Sequence, residues 1–261
     1  VNAAAMDASP KLLIVARHGV GVDDVDLRAA RARGLLVTRA PGSATAAVAE
    51  HTLALLLALA KDLRPLGASI AEGHWRGAAT RVRDIAGLRL GLLGFGAIGR
   101  AVAALAQPFG MRVAALDPAA GEAHFGPVRR MATLAALMAE SDAVSLHCPA
   151  IPATHHIIDA AALAAMPAGG YLLNTARGGI VDEAALLAAL ESGHLAGAAL
   201  DVFEHEPPPA DHALRRHPRV LVTPHVAGVT DGSLVNMGVM AAECIAARLT
   251  GGEVPEERIV R

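Results

Sequence analysis

Three residues whose types carry proton and anion chemistry each follow an apolar, strand-like run. Arg177 comes after Tyr171-Leu-Leu-Asn-Thr175, Glu206 after Gly197-Ala-Ala-Leu-Asp201-Val-Phe203, and His225 after Val220-Leu-Val-Thr-Pro224. Histidine exchanges a proton near neutral pH, a carboxylate beside it orients the ring, and arginine grips a carboxylate as a planar fork. Presented from successive strand ends, the three side chains can converge on one point. Taken singly, each has a plainer reading. Arg177 can pair with Asp182, Glu206 can be one solvated loop acid beside Glu204, and His225 is one of twelve histidines. Their shared location favours a joint role.

A second pattern says what lies beside them. Leu88 to Phe95 form an apolar run that ends in Gly94, Gly96 and Gly99, an Ala/Leu-rich helical stretch follows, and Arg112-Val-Ala-Ala-Leu-Asp117 reads as the next strand. Glycines spaced G-x-G-x-x-G between a strand and a helix allow a tight turn, let the backbone approach a pyrophosphate, and aim helix N-terminal N–H groups at it. Asp117 stands where a carboxylate can accept hydrogen bonds from an adenosine ribose and repel a 2′-phosphate, so NAD(H) is expected over NADP(H).

Short apolar runs alternating with Ala-rich helical stretches give an α/β fold with a parallel sheet. The expected strands are 12–16, 35–38, 88–95, 113–117, 143–147, 171–175, 198–202 and 220–223. The expected helices include Thr45 to about Leu63, 98–107, 134–139, 159–165 and 183–191. Pro207-Pro208-Pro209 is a stiff turn.

Composition excludes other classes. The chain has 261 residues, 53% of them hydrophobic and 18% charged, enough for a large core in one or two domains. Its net charge of -2 offers no basic field, so no nucleic-acid partner is expected. Cys148 and Cys244 suggest neither a disulfide framework nor a metal knuckle, and a reducing cytoplasm is the expected setting. The apolar run His51 to Ala60 is too short to span a bilayer, and no basic region followed by an apolar core opens the chain, so no membrane and no secretory signal are expected. The histidines at 51, 147, 155 and 156 have no carboxylate or thiolate spacing that would make a metal site.

The sequence resembles the D-isomer-specific 2-hydroxyacid dehydrogenases over essentially its whole length. The residues that carry the resemblance are Arg17-His-Gly-Val-Gly-Val-Asp23, Val48-Ala-Glu-His-Thr-Leu-Ala-Leu55, the Gly94 to Gly99 loop with Asp117, Asn174 to Asp182, Ala199-Leu-Asp201-Val-Phe203 with Glu206-Pro207, and Thr223-Pro-His225. The resemblance implies a Rossmann-type doubly wound NAD-binding domain over residues 42–228. It also implies a discontinuous, flavodoxin-like substrate domain over 1–41 and 229–261, N-terminally incomplete, with a cleft between the two. It implies that His225 is the general acid/base, Glu206 its partner and Arg177 the substrate anchor. Val20 and Gly21 would offer backbone N–H groups to a substrate carboxylate. Asp201 and Gly228 would approach the nicotinamide carboxamide, while Ala97, Ile98, Cys148, Thr175 and Ala176 would line the cofactor cleft.

The implied activity is NAD-dependent hydride transfer with a small D-2-hydroxy acid or 2-keto acid of the phosphoglycerate, glycerate/hydroxypyruvate or glyoxylate type. A homodimer built on the helix after Thr45 and the Trp75 region is also implied. The alternative is an NAD(H)-binding sensor or inactive truncated relative without turnover. Formate as substrate is disfavoured, because Glu206 stands where those enzymes carry a glutamine. Two positions depart from the family pattern. The chain begins at what corresponds to the third strand of the substrate domain, and Ala44 stands where an asparagine is common.

Overall fold

The computed structural model describes residues 1–77 and 80–260. Numbered in chain order, the strands are β1 (Ile14–Ala16), β2 (Leu36–Thr38), β3 (Arg89–Leu93), β4 (Arg112–Leu116), β5 (Arg129–Arg130), β6 (Ala143–Leu146), β7 (Gly170–Asn174), β8 (Leu195–Leu200) and β9 (Val220–Val222). The helices are α1 (Ala3–Asp7), α2 (Leu27–Ala32), α3 (Thr45–Ala60), α4 (Leu63–Ala71), α5 (Ala97–Ala106), α6 (Leu134–Ala139), α7 (Ala160–Ala165), α8 (Glu183–Glu191), α9 (Ala213–Arg216) and α10 (Asp231–Thr250). The fold is α/β and divides into two compact units, Val1–Ala47 with Gly228–Arg261, and Val48–Ala227.

Helix starts follow the sequence closely because a short polar side chain precedes the apolar run. Thr133, Asp159 and Asp182 each accept a backbone N–H from the first turn of α6, α7 and α8. In the smaller unit Asp26 does the same for α2 and Thr230 for α10. That unit holds a parallel pair, β1 beside β2, with Ile14 opposite Leu36 and Ala16 opposite Thr38. Met6, Val25, Ala29, Ala30 and Val37 form its core.

The larger unit is a seven-stranded sheet in the order β5-β4-β3-β6-β7-β8-β9, every neighbouring pair parallel. The chain lays down β3, β4 and β5 outward on one side, then returns to β3 and builds β6 to β9 on the other. The order reverses between β3 and β6, the point where open parallel sheets bind ligands outside their carboxyl ends. All residues of β6 and β7 are buried, as a sheet covered on both faces requires. Alternation along each strand divides the core. Leu173 and Ala199 pack with α3 and α5 residues such as Leu56 and Val102, whereas Leu172 and Ala198 pack with Leu137, Leu163 and Leu186 from α6, α7 and α8.

Three details differ from the expectation. The helix from Thr45 ends at Ala60, because Asp62 turns into the left-handed region at φ 52° and α4 begins at Leu63. Pro65 cannot extend α3, since it has no N–H for the carbonyl four residues back, but it is tolerated in the first turn of α4. The apolar length of α3 is covered by this unit's own core, which includes Leu53, Leu55, Leu56 and Ala60. Arg129 and Arg130 are exposed and form the edge strand β5, which is not among the expected strands, with Arg130 bonded to Glu122 at 2.7 Å. Strand β8 starts at Leu195 and not Ala198, and ends before Asp201, whose carboxylate is occupied elsewhere. Among the described residues no helix is long and apolar enough to cross a membrane.

At the amino end of the sheet Asp142 locks β6 to β3. Its carboxylate accepts from Arg89 Nε at 3.1 Å, Nη2 at 2.8 Å and the backbone N–H at 2.9 Å. Those hydrogen bonds from Arg89 hold its pKa at about 2 against an ordinary 3.8, although burial opposes them. A depressed carboxylate stabilises the fold above its unfolded pKa and loses that contribution as pH falls toward the folded value. The contribution is about 2 kcal/mol at neutral pH. Asp142→Asn is therefore expected to lower the melting temperature at pH 7 while narrowing its gap to wild type as pH falls from about 4 to about 2. Thermal melts of both proteins across that range check it, and a gap that stays constant with pH refutes the assignment.

Candidate active site

The turn after β3 holds two glycines that nothing larger can replace. Gly94 has φ 94°, and a Cβ there would lie 2.5 Å from the His147 carbonyl carbon. A Cβ on Gly99 would lie 2.3 Å from the Gly94 oxygen, so α5 and the turn touch through backbone. Gly96 differs: nothing lies within 4 Å of its missing side chain. It occupies the N-cap of α5 without a side-chain cap, which leaves the first-turn N–H groups of Ala97, Ile98 and Gly99 for an anion.

Asp117 closes this cradle from the end of β4. Its Oδ2 accepts the Phe95 N–H at 2.8 Å and its Oδ1 the Ala119 N–H at 2.9 Å. A carboxylate has about four acceptor positions, so two remain for ribose hydroxyls. His147 and Cys148 pass over Gly94 at the end of β6. Burial pushes the His147 imidazole down to about 4 and the Cys148 thiol up to about 11, the latter with help from the Asp117 charge. Neither group ionises near neutral pH. His147 instead uses Nε2 on the Ser145 hydroxyl at 2.9 Å, and its enclosed Nδ1 has no partner among the described residues.

Strands β7, β8 and β9 deliver the three candidate catalytic side chains, all within the larger unit. His225 Nδ1 lies 2.6 Å from Glu206 Oε2, while Glu206 Oε1 accepts the Phe203 N–H at 3.1 Å. The carboxylate is thus fixed on both oxygens. The His225 ring is half exposed and its backbone sits in the left-handed region at φ 53°, a conformation that needs support from its surroundings. Asp201 supplies it. Its buried carboxylate accepts the Val226 N–H on Oδ1 at 2.9 Å and the Ala227 N–H on Oδ2 at 2.9 Å, and its own carbonyl accepts the His225 N–H at 2.8 Å. Thr223 Oγ1 donates to Asp201 Oδ1 at 2.5 Å and stands 3.1 Å from His51 Nε2 of α3.

Arg177 follows β7 at the entrance to a short 3-10 turn, Gly178–Ile180. Asn174 shapes that bend: its Oδ1 accepts the Ala176 N–H at 3.0 Å and its Nδ2 donates to the Arg177 carbonyl at 2.9 Å. Arg177 Nη1 donates to the Ala176 carbonyl at 2.7 Å. A Cβ on Gly178 would fall 1.9 Å from the Phe203 carbonyl carbon, so the Arg177 loop lies directly on the loop that carries Glu206. Thr175 is buried, with its hydroxyl 3.0 Å from that of Thr52 on α3. In the smaller unit Val20 and Gly21 lie beyond the carboxyl end of β1, next to Gly19 at φ 146°, and Gly228 accepts the Ser233 hydroxyl at 2.5 Å. Ala44 is buried in the turn before α3.

Sequence reasoning missed the roles of Asn174, Thr223 and His51. For Asn174 a signal existed, since Asn at a strand end commonly bonds its own backbone two residues on. Thr223 and His51 gave none, because their partners are far away in sequence. No group of three or more histidine, cysteine, aspartate or glutamate side chains suited to a metal occurs among the described residues.

A glycine turn and helix N-terminus at the strand-order reversal thus lie with a histidine–carboxylate pair and an arginine on the neighbouring strand ends. Residues 53–227 match the family described as D-isomer specific 2-hydroxyacid dehydrogenase, NAD binding domain. The chain is 41% identical over 257 residues to the D-3-phosphoglycerate dehydrogenase of Mycobacterium bovis, covering 98% of this chain and 48% of that protein. It is 45% identical over 226 residues to the (S)-sulfolactate dehydrogenase of Chromohalobacter salexigens, covering 86% of this chain and 73% of that protein. The crystal structure of TT0316 protein from Thermus thermophilus superposes with a TM-score of 0.93 at 42% identity, covering 100% of this chain and 83% of that one. The chain belongs to the D-isomer specific 2-hydroxyacid dehydrogenase family, and it spans about half the length of the phosphoglycerate dehydrogenases it matches.

Proposed function

We propose that the protein is an NAD-dependent oxidoreductase that interconverts a small D-2-hydroxy acid and its 2-keto acid, of the phosphoglycerate, glycerate/hydroxypyruvate or glyoxylate type. The observation that carries this reading is the 2.6 Å contact between His225 Nδ1 and Glu206 Oε2. With Nδ1–H held by the carboxylate, Nε2 is the atom that gives a proton to the substrate oxygen during reduction and takes it back during oxidation. Arg177 holds the substrate carboxylate and carbonyl oxygen in its fork, which positions the reacting carbon and polarises the carbonyl. Val20 and Gly21 of the smaller unit offer backbone N–H groups to a substrate carboxylate.

The nucleotide sits in a Rossmann-type doubly wound domain, and the smaller unit is the flavodoxin-like substrate domain. When bound, the cofactor accepts or supplies the hydride. Gly94, Gly96, Ala97, Ile98 and Gly99 hold its pyrophosphate, Asp117 its adenosine ribose, and Cys148, Thr175 and Ala176 line the cleft. Asp201 Oδ2 accepts the Ala227 N–H at 2.9 Å and retains an acceptor position for the nicotinamide carboxamide. Exposed Leu63, Ile70 and Trp75 on and after α4 support a homodimer through this region. The reading places the enzyme in the cytoplasm.

The test is NADH consumption by purified protein against glyoxylate, hydroxypyruvate, pyruvate and phosphohydroxypyruvate, with NADPH in parallel and NADH binding titrated by fluorescence. Turnover of at least one acid with preference for NADH is expected, in a particle of twice 26.6 kDa by light scattering. Tight NADH binding with no turnover of any acid replaces this reading with a nucleotide sensor.

A further inference from the structure

We propose that Glu183, through His212 and the backbone of Glu204, is the positioning residue that holds Glu206 against His225. The proposal rests on the reading of His225 and Glu206 given above. Glu183 is the first residue of α8, where an acid gains from the helix N-terminus while remaining solvated. The helix does not need it as a cap, because Asp182 already accepts the Ala185 N–H at 3.0 Å. Yet the Glu183 side chain is only 15% exposed. Its two oxygens are spent on the loop after β8: Oε1 accepts the Glu204 N–H at 2.9 Å, and Oε2 lies 3.0 Å from His212 Nε2.

Those partners bracket Glu206 along the chain. Upstream, Glu204 follows Phe203, whose N–H bonds Glu206 Oε1. Downstream, the His212 ring meets the Phe203 ring edge-on, with centroids 5.4 Å apart. His212 Nε2 is the ring nitrogen that faces Glu183, and its enclosed Nδ1 has no partner among the described residues. The segment from 203 to 212 is therefore pinned at both ends to one carboxylate on α8. The same helix continues the loop that carries Arg177, so Glu183 ties together the two strand-end loops that must hold their distance during turnover. A burial of this kind costs desolvation and contributes little to a helix that is already capped; its consequence lies in the loop.

The test uses Glu183→Ala in the full chain, with His212→Phe as a second variant. Phenylalanine keeps a ring against Phe203 and removes the nitrogen that faces Glu183. Two readouts separate positioning from simple support of the fold. The first is the nitrogen NMR shifts of the His225 ring, which report the side carrying the proton. Wild type is expected to show the Nδ1–H form, and both variants a mixture moved toward Nε2–H. The second is steady-state reduction, where kcat is expected to fall about 10- to 100-fold with KM for NADH unchanged. Glu183→Gln keeps an oxygen for the Glu204 N–H and is expected to recover most of the rate. A lowered melting temperature with wild-type His225 shifts overturns the proposal. Should wild type turn over no 2-keto acid, the dehydrogenase reading fails on its own, and the His225 shifts in the same variants still decide whether Glu183 positions the pair. Should Glu183→Ala fail to fold, His212→Phe decides on the same two readouts.

Discussion

His225→Ala is expected to slow 2-keto acid reduction by about 100- to 10,000-fold, the usual range for loss of a general acid, while NADH affinity changes by less than about twofold. The separation follows from where each function sits. The pyrophosphate cradle is made by Gly94, Gly96, Gly99 and the start of α5, and Asp117 is fixed by Phe95 and Ala119. None of these depends on the β9 loop. Arg177→Ala is expected to lose a similar amount by a different route, since the fork that places the keto acid goes and the proton donor stays. Its deficit appears in KM for the acid as well as in kcat, whereas that of His225→Ala appears in kcat. Binding titrations beside kinetics in both directions check this. If NADH affinity collapses together with activity, the residues belong to the cofactor site and the assigned roles fail.

The parts of this molecule that sequence makes legible are those in which chemistry and local backbone coincide. A glycine at Gly94 or Gly99 is demanded by a backbone contact a few residues or one strand away, and the apolar runs on either side announce both the strand and the helix. Arg177, Glu206 and His225 are visible because each follows such a run at its carboxyl end. The supports of those side chains are not visible in the same way. His51 on α3 reaches Thr223 across 172 positions, and Glu183 reaches Glu204 across 21. Such partnerships exist only once the parallel order of the sheet has brought its strand ends together, and neither residue stands out by type or spacing. β5 escapes because two arginines on an edge strand carry no apolar alternation, and the start of β8 escapes because Gly197 interrupts the pattern. The Gly197 side of that strand lies against the Arg219 carbonyl, where a Cβ would come within 2.9 Å, which explains a glycine that otherwise reads as a strand breaker.

Gly178→Ala carries the largest structural consequence and separates that packing logic from catalysis. The added methyl would overlap the Phe203 carbonyl carbon at 1.9 Å, its oxygen at 2.0 Å and the Glu204 nitrogen at 2.3 Å. All three are backbone atoms, so no side-chain rotation relieves the clash and one of the two loops must move. The expected cost is about 3 kcal/mol or more, at the upper end for overpacking in a close-packed interior. The displacement falls where the Arg177 loop meets the segment that Glu183 and Glu206 hold, so turnover should fall even in the fraction that stays folded. Gly179→Ala is the matched control. Its nearest neighbour would be His155 Cδ2 at 3.9 Å, an ordinary contact, and melting temperature and kcat should stay near wild type. Thermal melts and kinetics on the pair distinguish a loop-to-loop contact from a general intolerance of the Arg-Gly-Gly segment. A Gly178→Ala protein with unchanged stability and turnover would show that the two loops are not held in register by this contact, and the bracing assigned to Glu183 would then have to carry that register alone.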